Sequence, residues 1–449
     1  MRKPNLLWSL FLCLVVGSVL LLSACGGNKE EGASPASSTS PGKVVQLDLW
    51  HKWGNGHERE VLEQLIRKFE SENPGIKITQ TPVSDNTKFL SAISAGNPPD
   101  IIDLDTTTMI GEWANKGVLM PLDDWIARDK IDKDAFIPAS WKAVTYEDKV
   151  YAMPFVAFNE GLLYNKEMFK QAGLDPEHPP ETLEHLVEYA GKLTQVDADG
   201  NIQQMGFLPT WPASHLQTGL AWMYGGEFYD AGENKITAND PGIAEALAWE
   251  RNFYKKYGPQ KVQNFITSSG QYLTAQDLFE SGKLAMVIDG PWAIRFIQEN
   301  MKDAEQNIGA GYIPYPKDHP ENKGLSFIDV NPQIIPVGAK HPEEAWKFIS
   351  WLTTNKETAS EFADLVANIP QLKDAPATEL FKDSRFALFM ELAASDKARV
   401  FPKISISGEY AAKLSDVENH ILLSPDQDIP SLLNNLNDEL NKSLKAQAK

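Results

Sequence analysis

Residues 45–78 read VQLDLWHKWGNGHEREVLEQLIRKFESENPGIKI, and this stretch decides the fold. Val45, Leu47 and Leu49 alternate with other side chains, the period of a strand that buries one face. Gly54-Asn55-Gly56 interrupts the strand with a turn. Val61, Leu62, Leu65, Ile66 and Phe69 then recur at helical spacing and form one apolar stripe. Asn73-Pro74-Gly75 stops the helix, and Ile76 and Ile78 resume the alternation. Strand, helix and strand in this order predict a parallel pair joined by a right-handed crossover.

The pattern recurs downstream. Phe89, Leu90 and Ile93 mark a helix face that breaks at Gly96-Asn97-Pro98-Pro99, before a short buried strand at Ile101, Ile102 and Leu104. Leu183, Leu186, Val187, Ala190 and Leu193 fit an amphipathic helix with Thr182 as its N-cap. Leu284 to Ile288 reads as another buried strand, and Pro291 suits the first position of the helix that follows. Ala345, Trp346, Ile349 and Leu352 give one more helix face. The chain from about Glu418 reads as helical and solvent-washed. The class is α/β, in two lobes.

Upstream of the fold, Arg2 and Lys3 precede an apolar run from Leu6 to Leu22, and Leu22-Ser23-Ala24-Cys25 follows. That order predicts a lipoprotein-type leader over residues 1–24, with Cys25 lipidated at the mature N-terminus. An uncleaved transmembrane anchor is the alternative, because the run is near the spanning limit. Either way the body works outside the cytoplasm. Residues 25–42 are rich in Gly, Ser, Pro and Glu and read as a flexible tether, so the folded body should begin at Lys43.

Without the leader, 40 basic face 61 acidic side chains, a net charge of −21. This argues against nucleic acid as a partner and against a broad electrostatic grip on anionic lipid. The chain has two cysteines, and Cys13 lies in the leader, so the processed protein has no disulfide to form. No phosphate loop or nucleophile elbow occurs. His57-Glu58 begins like a zinc-protease helix, but Val61 stands where the second histidine belongs. Asp197-Ala198-Asp199-Gly200-Asn201 carries its glycine too early for a calcium loop and reads as a tight turn. No cofactor or metal is expected, and the weight shifts from catalysis to binding.

Seven segments, in order, resemble the extracellular solute-binding proteins of carbohydrate ABC importers. They are Leu49-Trp50 before the Gly-rich loop, Phe69 with Asn73-Pro74-Gly75-Ile76-Lys77-Ile78, Gly96 with Pro99-Asp100-Ile101, and Tyr151-Ala152-Met153-Pro154. Leu163-Tyr164-Asn165-Lys166-Glu167-Met168-Phe169 with Ala172-Gly173-Leu174 follows. Phe279-Glu280-Ser281-Gly282-Lys283-Leu284-Ala285-Met286 and Gly290-Pro291-Trp292 complete the set. The resemblance implies a two-lobed periplasmic-binding-protein-like fold with a hinge and an interlobe ligand cleft. It places residues 43–157 plus about 327–370 in lobe 1, and 158–326 plus about 371–449 in lobe 2. It also implies a monomeric, non-catalytic carrier of a carbohydrate, most simply an oligosaccharide, that serves a membrane permease. Lipid retention suggests a Gram-positive-type envelope. Departures at Leu183 and at Leu104-Asp105-Thr106-Thr107 weaken maltodextrin as the ligand. A surface glycosidase or lyase, or a sugar-sensing co-receptor, is the competing function.

Ligands of open α/β sheets sit outside the carboxyl ends of the strands, so the loops there supply the candidates. His51, Trp53 and Asn55 follow the first strand, where Gly54 and Gly56 let backbone approach a ligand. Trp50 reads as core, and Trp53 reads equally as a lobe plug or a cleft residue. Asp289 and Trp292 follow the Leu284–Ile288 strand, and the resemblance gives Trp292 a sugar-stacking role. Asn159 and Glu160 stand where the chain first crosses between lobes. The resemblance adds Trp211 and His215 on a second-lobe wall, with Asp329, Asn331 and Tyr410 as weaker candidates.

Overall fold

Val45–His51 and Ile76–Pro82 pair in parallel, in register from Val45 with Ile76 to His51 with Pro82. The helix between them, Gly56–Glu72, buries Val61, Leu62, Leu65, Ile66 and Phe69, the five residues its spacing selects. Phe69 meets Phe348 edge to face at 5.0 Å. The Asn73 side chain donates to the Phe69 carbonyl at 2.9 Å and closes the helix. The next helix, Asn86–Ser94, starts where the Asp85 carboxylate accepts the Thr87 N–H at 2.9 Å. It leads to Ile101–Asp103, which pairs in parallel with the first strand from Leu49.

This computed structural model describes residues 44–447 other than 55, 84, 213 and 303. The expected leader, Cys25, the tether and Asn55 lie outside the described residues. One sheet runs, in spatial order, Ile369–Pro370, Met153–Asn159, Ser326–Ile334, Ile101–Asp103, Val45–His51 and Ile76–Pro82, with Ala398–Arg399 beside the start of Ser326–Ile334. The other runs Ile308–Gly311, Gly161–Asn165, Leu284–Asp289, Ile202–Phe207 and Gln195–Val196. Glu160 alone separates Met153–Asn159 in the first sheet from Gly161–Asn165 in the second. A Cβ at Gly161 would stand 3.1 Å from both the Gly311 carbonyl and the Phe389 ring, so a side chain would crowd this crossing.

Helices cover both sheets. Leu183–Leu193 is capped by Thr182 and buries Leu183, Leu186, Ala190 and Leu193. Pro342–Thr354 buries Ala345, Trp346, Ile349 and Leu352, as its spacing predicts. The Asp197 carboxylate accepts the N–H groups of Asp199 and Asn201 at 2.9 and 2.8 Å, the tight turn read from the sequence. Two expectations are corrected. Trp50 is only partly buried, and Trp53 is the fully buried tryptophan of the pair. The C-terminal helix Ile429–Gln447 is not solvent-washed all round. Leu433, Leu436, Leu440 and Leu444 form a buried stripe between exposed polar side chains. Among the described residues, no helix is long and apolar enough to cross a membrane.

The Leu183–Leu193 helix lies so close on the Ile202–Phe207 strand that a Cβ at Gly206 would sit 2.3 Å from the Ala190 carbonyl oxygen. The three nearest atoms all belong to the Ala190 backbone, which cannot rotate away. Gly206→Ala should therefore destabilise the fold by about 1–3 kcal/mol, the scale of overpacking. Urea unfolding checks this, and an unchanged midpoint would contradict the close packing.

Candidate functional site

The carboxyl ends of the central strands in the first sheet meet in a polar cluster. Trp53 is fully buried, its ring edge-on to Phe362 at 5.1 Å, and its Nε1 donates to Asp103 Oδ2 at 2.7 Å. Lys52 Nζ lies 4.2 Å above the Trp53 ring and 2.8 Å from Asp105 Oδ1. Burial pushes the Asp103 carboxyl up to about 7, against the pull of its bond from Trp53. The Lys52 ammonium holds Asp105 below its ordinary value. Asp329 and Asn331 project from the Ser326–Ile334 strand and fasten the loop after Asp103. Asp329 accepts from the N–H and hydroxyl of Thr107, and Asn331 Nδ2 donates to the Asp105 carbonyl at 2.5 Å.

The crossing point carries the next group. Glu160 is fully buried, and its Oε1 accepts the His215 backbone N–H at 2.7 Å and lies 2.6 Å from His215 Nδ1. The His215 ring lies flat on Phe327, centroids 4.3 Å apart and planes 12° apart. Burial alone would lower the His215 pKa. Glu160, with Asp329 and Asp105 beyond it, outweighs that and holds the ring above its ordinary value.

The third group ends the Leu284–Asp289 strand. Asp289 accepts Trp211 Nε1 at 2.8 Å, the Tyr272 hydroxyl at 2.8 Å and the Gly290 N–H at 2.7 Å. Burial still pushes its carboxyl up to about 7. Trp292 Nε1 donates to the Tyr272 oxygen at 2.8 Å, and the Trp292 ring is edge-on to Phe158 at 5.6 Å. Tyr272 precedes Leu273, whose φ of 60° is unusual for a residue with a side chain. Asp277 holds that turn through the Leu273 N–H at 3.0 Å.

Between the sheets lies a cavity of about 570 Å³. Thr106 and Thr108 line it from the first half, and Trp211, His215 and Phe327 line it beside Ala411, Ser415 and Glu418. A cavity of about 410 Å³ shares Thr210, Trp211, Pro212 and Asn419 with it and continues to Tyr272. Each falls in the size range of small-molecule sites. Hydroxyls, an imidazole and aromatic faces converge there, a lining that suits a polyhydroxylated ligand with apolar C–H faces.

The structure brings Trp211 and His215 to the cavity and sets Glu160, Asp289, Asp329 and Asn331 in the network that holds its walls. Other residues are placed elsewhere. Trp53 and His51 are sealed inside the first half, and burial pushes the His51 ring down to about 4. The loop after His51 turns Trp53 inward, where Asp103 offers its N–H a buried acceptor. Asn159 donates to the Phe389 carbonyl at 2.8 Å and does not line either cavity. Trp292 is half-buried, spends its N–H on Tyr272 and lines neither cavity. Tyr410 is fully buried against Phe228 and Phe401. The cavity takes the adjacent stripe of its helix, Ala411, Ser415 and Glu418, whose i, i+4, i+7 spacing was the available signal. The strand-end rule also covers the missed Lys52, Asp105, Thr106 and Thr108. Tyr272 sits in a stretch without periodicity.

Comparison with known proteins places this architecture. Residues 54–359 match the bacterial extracellular solute-binding protein family. An uncharacterised ABC transporter extracellular-binding protein of Pyrococcus horikoshii is 27% identical over 439 residues, covering 95% of this chain and 94% of that protein. The maltotriose-binding protein of Pyrococcus abyssi is 27% identical over 417 residues, covering 90% of this chain and 83% of that protein. The solved structure of CpMnBP1 with mannotriose bound superposes with a TM-score of 0.79 at 30% identity, over 88% of this chain and 99% of that one.

The titration of Asp289 has a defined sign. Its folded pKa of about 7 stands above the ordinary 3.8, so the folded state holds a proton that the unfolded chain has lost between those values. The stability this contributes is complete below about pH 4 and is lost as pH rises through about 7. In Asp289→Asn the fall of melting temperature from pH 4 to 7 should be shallower than in the wild type, with Asp103 retaining its own part. Parallel curves would contradict this.

Proposed function

Because this chain belongs to the bacterial extracellular solute-binding proteins, we propose that it captures an oligosaccharide between its lobes and delivers it to the permease of an ABC importer. Members of the family carry their solute without reacting it, and the chain is not an enzyme. Relatives named for maltotriose and maltodextrin, and a neighbour with mannotriose bound, support a carbohydrate of several units. The observation that carries the reading is the interlobe cavity, where Trp211 and the His215–Phe327 stack face Thr106 and Thr108. Aromatic faces supply affinity for the C–H faces of a sugar. Hydroxyls and imidazole, oriented by buried carboxyls, read hydroxyl positions, and a ligand lacking a paired hydroxyl leaves a polar group unmatched.

In this reading the first lobe comprises 43–157 with about 327–370, and the second comprises 158–326 with about 371–449. The lobes close about the Asn159–Gly161 crossing and its neighbours. The ligand shifts the open–closed balance only by its differential affinity for the two states. Cys25 anchors the monomer by lipid to the outer face of a Gram-positive-type membrane, and residues 26–42 tether it there.

A thermal-shift screen over mono- and oligosaccharides tests the ligand class. An oligosaccharide should raise the melting temperature and be recovered unaltered. Trp211→Ala should then weaken binding by about 1–3 kcal/mol in calorimetric titration while the protein stays folded. Unchanged affinity, or turnover of the sugar, would contradict the reading.

A further inference from the structure

A larger cavity of about 1030 Å³ lies across an aromatic wall from the cleft. Phe401 borders both spaces. Trp222 borders the larger one and stacks on Phe327, which borders the cleft, at 6.3 Å and 15°. The cavity's sides come from both halves of the molecule, around Tyr146 on one and Tyr229 on the other, and the segment before Ile404 runs along it.

Its charges are not all matched. Arg399 pairs with Glu227 at 2.9 Å, and Lys373 Nζ donates to the Asp134 carbonyl at 2.9 Å. Lys403 differs. It lines the cavity, yet its Nζ is buried and has no hydrogen-bond acceptor. Asp329 is the opposing charge within electrostatic reach, and its oxygens already accept from Thr107 and from the Val330 N–H. A buried ammonium without an acceptor is unfavourable, and an anion beside it removes the penalty.

We propose that this cavity is a second ligand site, for a small carboxylate carried on a ring, with the carboxylate drawing the Lys403 ammonium from beneath the lining to pair with it and the ring resting against Trp222 and Phe401. A neutral sugar would leave the ammonium unmatched. The lining carries Lys142, Lys373, Arg399 and Lys403 against Glu147, Glu227 and Asp396, one positive charge in excess, which suits a monoanion rather than a dianion such as phosphate. The aromatic wall favours a ring over an open chain. Among the described residues, Phe401 is the one that lines both this cavity and the cleft.

The test uses the whole protein with sodium glucuronate and sodium benzoate as probes, and glucose and inorganic phosphate at matched ionic strength as controls. At least one carboxylate should raise the melting temperature and give saturable heat in titration, and the controls should not. Lys403→Met should fold with a melting temperature at or above that of the wild type, because it removes an unpaired buried charge. It should weaken carboxylate binding about tenfold or more. Lys403→Gln makes the same comparison if the methionine variant does not fold. Trp211→Ala, which cripples the cleft, should leave carboxylate binding intact. The proposal is overturned if neither carboxylate binds, if binding survives at Lys403, or if it disappears with Trp211, which would put the anion in the cleft.

Discussion

Everything in this molecule turns on one buried carboxylate at the point where the chain passes between sheets. Glu160 lies within a run of wholly buried residues from Met153 to Asn165, with the first sheet on one side of it and the second on the other. An ionised carboxylate in that position is unfavourable by several kcal/mol unless it is paired. His215 supplies the pair through both its backbone N–H and its ring. The ring is in turn fixed by stacking on Phe327, at the start of the strand through which the chain has returned to the first sheet. The connection between the lobes and the wall of the cleft are therefore one structure. A ligand that moves His215 acts directly on the crossing.

The same economy governs the other walls. Asp289 gathers the N–H of Trp211 and the hydroxyl of Tyr272, so two aromatic rings are set by one carboxyl at a strand end. Asp329 and Asn331 clamp the loop that carries Thr106 and Thr108. The acidic and amide side chains mostly orient the residues that line the cavity. Such support is what holds a binding constellation within the narrow geometry it needs. Each of these carboxyls accepts at least one buried donor, which offsets part of the cost of its burial.

What was legible in the sequence was local. The stripe from Val61 to Phe69 and the alternation around it determine a β-α-β unit whatever lies elsewhere, and the pairing register follows. The seven ordered segments named the family and drew attention to Trp211 and His215, which no periodicity marks. What failed was the direction of single side chains. Position after a strand puts Trp53 near the strand ends, but its ring turned inward because Asp103, fifty residues on, offered a buried acceptor. The resemblance offered Tyr410 as a weaker candidate, yet the helix presents Ala411, Ser415 and Glu418 to the cavity and gives the tyrosine to the core. Trp292 lies beside the right network and spends its N–H on Tyr272, a residue in an irregular turn that no pattern announces. Such outcomes depend on partners distant in the chain, which neither spacing nor composition encodes.

We propose that two lobes joined at Glu160 close on a saccharide. Asn86 and Ser415 line the cleft from opposite sides, and the exposed Lys88 and Asp416 stand next to them. Spin labels on Lys88→Cys and Asp416→Cys, with Cys13 and Cys25 replaced by serine, report the width of the cleft through electron–electron dipolar coupling. Saturation with an oligosaccharide that raises the melting temperature should move the distance distribution to shorter values. An identical distribution with and without bound sugar would rule out closure.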